Sequence, residues 1–166
     1  MTEAPPTITY ASVVSRETVC LALTIVALND LEIKVGDVLN AYITAPITKK
    51  VWTNLGPEFG PDAGKSAIIV RALHVLKSAG AAFCAHLASF MQHMGYTSCK
   101  ANPDLWMKEE LRPDDNFKYY SYILVYVDDI LVVHHNAMSA LAQINNYLPL
   151  KPSLVGDPDI YLGNWF

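Results

Sequence analysis

An α+β domain built on an antiparallel sheet is the fold class this sequence predicts, and three observations carry it. Short alternating or β-branched runs recur along the chain, helical segments lie between them, and two strand runs follow one another across Asp128 and Asp129 with almost no connection. Strands joined so tightly pair antiparallel, and helices packed on such a sheet define the α+β class. The 166 residues suit one domain, and 52% hydrophobic against 17% charged content is that of a globular chain with a substantial core.

Residues 1–14 read as an irregular lead-in. Ser15 is a suitable N-cap with Glu17 in the first turn, so residues 16–29 form a helix, apolar enough to be buried on most sides. LEIKVGDV alternates as a strand with Leu31, Ile33 and Val35 on one face, and the same count puts Asp37 on that face at the exit. NAYITA reads as a helical turn, KKVWTNL as a strand, GPEFGPDAGK as a loop and SAIIVRAL as another strand. Ser78 to Met94 is the clearest helix. Phe83, Leu87, Phe90, Met91 and Met94 make its core stripe, and Gly95 stops it. DLWMKE is a strand and ELRPDDNFK a charged tip. Tyr122 to Val127 and Ile130 to Val133 are paired strands, residues 137–148 an amphipathic helix, and PDIYLG a last short strand. His134 and His135, if the strand continues, point to opposite faces and share no metal, and they read as surface or strand-end residues. The expected organisation is the lead-in, one domain over 15–163 and a short end at 164–166, without repeats.

The formal charge of −4 predicts no general grip on polynucleotides, which are held by Lys and Arg. Cys20, Cys84 and Cys99 are odd in number and form no CxxC pair, which suggests neither a disulfide framework nor a zinc site and fits a reducing, intracellular setting. The start, MTEAPPTITY, lacks a secretory signal, and VCLALTIVAL is too short to span a bilayer. A soluble chain with no membrane segment is expected.

The run YILVYVDDILVV holds the functional signal. Ten of its twelve residues are apolar or tyrosine, yet Asp128 and Asp129 stand side by side within it. Ionised carboxylates taken from water cost several kcal/mol each unless paired. Asp is also a turn former, although two-residue turns prefer Asn-Gly or Asp-Gly to Asp-Asp. Asp37, at the end of another apolar strand, adds a third carboxylate. Three converging acids call for protons or hard divalent cations, and magnesium suits oxygen ligands plus substrate phosphates. Two such ions about 3.5–4 Å apart can drive an in-line phosphoryl displacement. Spacing alone does not separate polymerase chemistry from other magnesium-dependent phosphotransfer.

YVDD at 126–129 between apolar strands, with GDVLNAY at 36–42, resembles the paired motifs of reverse transcriptases. VRALHVLKSAG, MGYTSCKANPDLW and DIYLG follow in the order seen in Ty1/copia-type LTR retrotransposons, so the likeness runs from about Tyr10 to Gly163. The resemblance implies an RNA-directed DNA polymerase with a right-hand palm, fingers and thumb being incomplete. It implies that catalytic Asp37, Asp128 and Asp129 hold two Mg²⁺ ions, for which Mn²⁺ can substitute, with Val38 offering its carbonyl. Nucleotide-binding positions would be Asn40, Ala41, Lys77, Lys151 and Tyr42. Tyr42 matches the ring that excludes a 2′-hydroxyl, and Lys151 the residue proposed to protonate pyrophosphate. Without the family, Tyr42 also reads as a half-buried turn anchor and Lys151 as a solvated cation. Implied partners are an RNA or DNA template with primer, deoxynucleoside triphosphates, and RNase H and integrase parts of a polyprotein. The implied location is a cytoplasmic virus-like particle.

LHVLKSAGAAF at 73–83 departs from the family block LYGLKQSPRAW. His74 replaces Tyr, Val75 replaces Gly, and Gly80-Ala81 stand at Pro-Arg; Val in place of a Gly with positive φ would crowd the pocket. Together with the missing basic finger strands, this suggests a truncated copy of weak or no activity in isolation. The alternative is a catalytically dead remnant acting as a folded binding or scaffold domain. A receiver-like phosphoacceptor domain would need its acidic pair after the first of several parallel strands, whereas here the pair joins two consecutive late strands.

Overall fold

The structure, a computed structural model, describes residues 13–74, 76–158, 160–161 and 164–165. Most of the expected lead-in lies outside these residues, as do Tyr10, Val75 and Gly163. The elements in chain order are α1 (Arg16–Asn29), β1 (Glu32–Asp37), α2 (Ala41–Thr44), β2 (Pro46–Asn54), β3 (Ser66–Arg71), α3 (Ala79–His93), β4 (Thr97–Ser98), β5 (Leu105–Leu111), β6 (Lys118–Tyr126), β7 (Asp129–His134), α4 (Ala137–Asn145), β8 (Ile160–Tyr161) and β9 (Asn164–Trp165). Short 3-10 helices occupy Pro57–Asp62 and Pro152–Leu154. The fold is α+β with antiparallel sheets. The chain divides into two compact units, one comprising residues 40–87, the other 12–39 and 88–166, so that α3 begins in the first and ends in the second.

The second unit is built on a five-stranded sheet of order β1-β7-β6-β5-β4. Strand β7 lies between β1 and β6, a place its composition suits, since Ile130, Leu131, Val132 and Val133 are all fully buried. Each such side chain contributes about 1.5–3 kcal/mol relative to exposure. Leu131 and Val133 share a core with Val19 and Ala22 of α1, Leu31, Tyr119 and Leu124. On α4, Ala137, Ala140, Leu141 and Ile144 are buried at helical spacing.

Helix α1 starts where the Ser15 hydroxyl accepts the Thr18 N–H and ends where Asp30 turns left-handed. It is not buried on most sides: Leu21 and Leu28 are 59% and 78% exposed, because the helix lies on the sheet by a single stripe. The α3 stripe is buried at Phe83, Leu87, Phe90 and Met91, and Gly95 ends the helix at a φ of 85°.

In the first unit β2 and β3 form an antiparallel pair with an irregularity between Pro46 and Val51. The Ala72 N–H bonds the Ala45 carbonyl, and the Arg71 guanidinium bonds that of Thr44, which ties the end of α2 to β3. Among the described residues no helix is long and apolar enough to cross a membrane.

Candidate functional site

Strands β6 and β7 meet in a hairpin in which Tyr126 pairs with Asp129, leaving Val127 and Asp128 as the turn. Val127 therefore belongs to the turn and not, as expected, to the strand. Its φ is 59°. A β-branched residue in this left-handed region costs about 1–2 kcal/mol, and the turn is made without Gly or Asn at its first position. On the other side of β7, β1 runs antiparallel in a register that pairs Glu32 with His134, Gly36 with Ile130 and Asp37 with Asp129. Asp37 and Asp129 thus face one another across the ladder. The Val38 N–H donates to the Asp128 carbonyl at 2.9 Å, which holds the turn against the end of β1.

The free edge of β1 is lined by the chain after α4. Leu39 N–H donates to the Pro149 carbonyl at 2.7 Å, Lys151 N–H to the Asp37 carbonyl at 2.8 Å, and Val35 and Gly156 exchange bonds of 2.9 and 3.1 Å. With its backbone fixed on Asp37, the Lys151 side chain returns to the same residue, Nζ lying 2.7 Å from Asp37 Oδ2. The Asp37 side chain is 13% exposed and that of Lys151 36%. Asp37 Oδ1 is buried without a hydrogen-bond partner in the structure. An orphaned acceptor of this kind is costly, and it is the observation that bears on whether a cation fits here.

The electrostatics agree with the geometry. Asp129 retains solvent access, yet partial burial, then the charges of Asp128 and Asp37, push its carboxyl above the usual range, with Lys151 opposing. Lys151 is raised, first by its hydrogen bond to Asp37 and also by the charges of the three acids.

Close packing behind the site depends on Gly36. A Cβ there would lie 3.1 Å from Leu150 Cδ1 and 3.2 Å from Leu141 Cδ2, so a side chain at this position would press on α4 and the Leu150 segment. An isolated glycine in a strand signals such an approach, and the sequence carried that cue.

The structure therefore gathers Asp37, Val38, Asp128, Asp129 and Lys151 within one unit. Val38 is fully buried, paired with Leu150 by an isolated bridge. Asn40, Ala41, Tyr42 and Lys77 belong to the other unit. Asn40 is exposed, with a left-handed φ of 51° at the start of α2, while Ala41 is buried. Tyr42 is half-buried, its ring 4.5 Å from that of His74 and 6.1 Å from that of Phe83, and Lys77 is exposed.

Among the described residues no three His, Cys, Asp or Glu side chains converge into a metal cage. A divalent ion here would take Asp37 Oδ1 and the Asp128 and Asp129 carboxylates as part of its shell and complete it with water or substrate oxygens, as magnesium commonly does. The unpartnered Asp37 Oδ1 is the feature that suits such an ion, while the three carboxylates are not gathered into a cage.

His134 and His135 fall at a strand end, one of the two places expected for them. Strand β7 ends at His134, and beyond it the chain turns so that the two rings lie 4.3 Å apart between centroids.

No protein-family description, curated protein or solved structure matched the chain.

Proposed function

We propose that this chain is the RNA-directed DNA polymerase domain of a Ty1/copia-type retrotransposon, with a palm-like core carrying a two-metal nucleotidyl-transfer site. The observation that supports the reading best is the direct pairing of Asp37 with Asp129, beside a turn that presents Asp128. In this reading Mg²⁺, when bound, supplies the positive charge that activates a primer hydroxyl and stabilises the leaving oxygen. Asp37, Asp128 and Asp129 hold that charge in place, and the buried ladder beneath them fixes their spacing. Lys151, anchored through its own backbone to Asp37, supplies a cation beside the triphosphate and a proton at Nζ for the departing pyrophosphate. Tyr42 selects deoxynucleotides by clash with a 2′-hydroxyl, with Asn40, Ala41 and Lys77 contributing to the nucleotide pocket.

A second reading, a folded domain without catalysis, draws on a specific observation. Lys151 already neutralises Asp37, so the site has a built-in counter-ion. The two readings separate in a thermal melt against rising Mg²⁺ and Mn²⁺, because binding to the folded state alone raises the melting temperature. The polymerase reading expects a metal-dependent rise that Asp37→Asn and Asp128→Asn both abolish, with primer extension on an RNA template. No rise and no extension would leave the scaffold reading.

A further inference from the structure

The opposite end of β7 carries another cluster of titratable groups. The His134 and His135 rings are tilted 33° to one another at a centroid distance of 4.3 Å. The Asn136 backbone N–H donates to His134 Nδ1 at 2.9 Å, so this nitrogen is an acceptor. The Tyr119 hydroxyl oxygen accepts the His135 N–H at 3.3 Å and lies 2.6 Å from His135 Nδ1. Assigning the hydroxyl proton to Nδ1 satisfies both groups. Both rings are then neutral with the proton on Nε2. A further proton on His134 has to occupy Nδ1, the atom already in use, and so breaks the bond it accepts from Asn136, whereas a proton on His135 Nδ1 would only reverse its bond with the Tyr119 hydroxyl.

Those bonds hold the entry to α4. Asn136 caps the helix by accepting the Ser139 N–H at 2.9 Å, and the Ala137 N–H goes to Glu32 Oε2 at 3.0 Å, Glu32 being the register partner of His134. At its other end α4 accepts the Leu150 N–H on Asn145 Oδ1 at 2.8 Å, one residue before Lys151.

We propose that His134 is a proton-operated latch on α4, closed while its ring is neutral and opened by mild acid. Protonation removes the Asn136 bond and sets a cation against the His135 ring, 4.3 Å away between centroids. Further charged and titratable groups face the pair from several elements. Glu110 and Lys108 of β5 form an ion pair of 2.7 Å, Tyr96 follows α3, Tyr119 comes from β6 and Glu32 from β1. Glu110 favours a cationic His134 ring, whereas burial, the neighbouring ring and Lys108 oppose it. At His134 the opposition prevails, burial being the largest cause and His135 the next, and its protonation is pushed below the usual histidine range. A cavity of about 260 Å³ lined by His134, His135, Lys108, Glu110, Ser139 and Gln143 gives water and protons access.

A folded value below the unfolded one means that stability is present above the unfolded value and is lost as pH falls from there through the folded one. The test is amide hydrogen exchange of the whole chain at about pH 7.5 and 5.5, on either side of the histidine range, corrected for intrinsic rates. Protection of α4 should fall about tenfold at the lower pH, while β6 stays protected. In His134→Asn with His135→Asn, which keep an acceptor but cannot titrate, the fall should vanish. Unchanged α4 protection in the parent, or an equal fall in the double variant, would overturn the latch. His134→Asn alone provides a check that does not need the double variant to fold. The fall should vanish in it as well, and a fall equal to the parent's counts against the proposal.

Discussion

Asp37 and Asp129 are direct partners across the β1–β7 ladder, and Lys151 Nζ sits 2.7 Å from Asp37. Antiparallel pairing normally sets opposite charges or apolar groups face to face, and like charges so placed destabilise the pair. A sheet that carries this arrangement at the end of its most buried strand gives up stability there, and a cation is what relieves it.

Removal of Lys151 should expose that cost. In metal-free buffer Lys151→Met is expected to melt below the parent, since Asp37 would be left largely buried with no cation and its second oxygen is already unpartnered. Adding Asp37→Asn to Lys151→Met should recover part of the loss, because the uncompensated charge is then gone. The raised lysine also fixes a pH dependence. Its stabilising effect is present below the unfolded value and is lost as pH rises through the higher folded one. The gap between parent and Lys151→Met should therefore narrow in strong alkali, which melting curves across that range would register.

Asp129 has the opposite sign. Its folded carboxyl holds a proton to higher pH than the unfolded chain does, through partial burial and the acids beside it. Stability consequently falls as pH rises from the unfolded value through the folded one, and stays lowered at neutral pH. Asp129→Asn should melt above the parent at neutral pH without metal, and the advantage should fade on acidification through the carboxylate range. An unchanged or lower melting temperature at neutral pH would mean that the three acids do not burden one another.

Much of this was readable from residues alone. The period-two count put Asp37 on the face of Ile33 and Val35, and the apolar runs flanking Asp128-Asp129 marked a hairpin, since both signals are local and repeat. The pairing of Asp37 with Asp129 was not readable, because register between strands remote in sequence depends on packing across both faces. Nor was the exposure of Leu21 and Leu28, as apolar content says how much surface a helix could bury and not how much its neighbours cover. His134 and His135 were legible as strand-end residues, but the approach of their rings was not, because alternation says nothing of a turn beyond the strand.

Val127 offers a test of backbone strain. At an ordinary strand position glycine is less stable than alanine by about 0.5–1 kcal/mol, a consequence of its greater unfolded freedom. At a φ of 59° the order should reverse, because alanine still meets the left-handed penalty of about 1–2 kcal/mol and glycine does not. Val127→Gly is thus expected to unfold at higher denaturant than Val127→Ala. The usual order, with alanine ahead, would argue that the turn does not hold residue 127 in that region.

Gly36 links the packing of α4 to the charged end of the sheet. The added methyl of Gly36→Ala would press on Leu150 and Leu141 at 3.1 and 3.2 Å, closer than side chains ordinarily sit, so one of them must yield. Overpacking of this kind costs about 1–3 kcal/mol. Leu150 is the more consequential of the two, since it precedes Lys151, whose backbone bonds to Asp37 and whose ammonium pairs with it. If Leu150 moves, Gly36→Ala should lower stability and also weaken the Lys151–Asp37 pair. A double-mutant cycle separates these effects. Lys151→Met should then cost less in the Gly36→Ala background than in the parent, whereas additive costs would show that Leu141 yields and that the ion pair is held independently of α4.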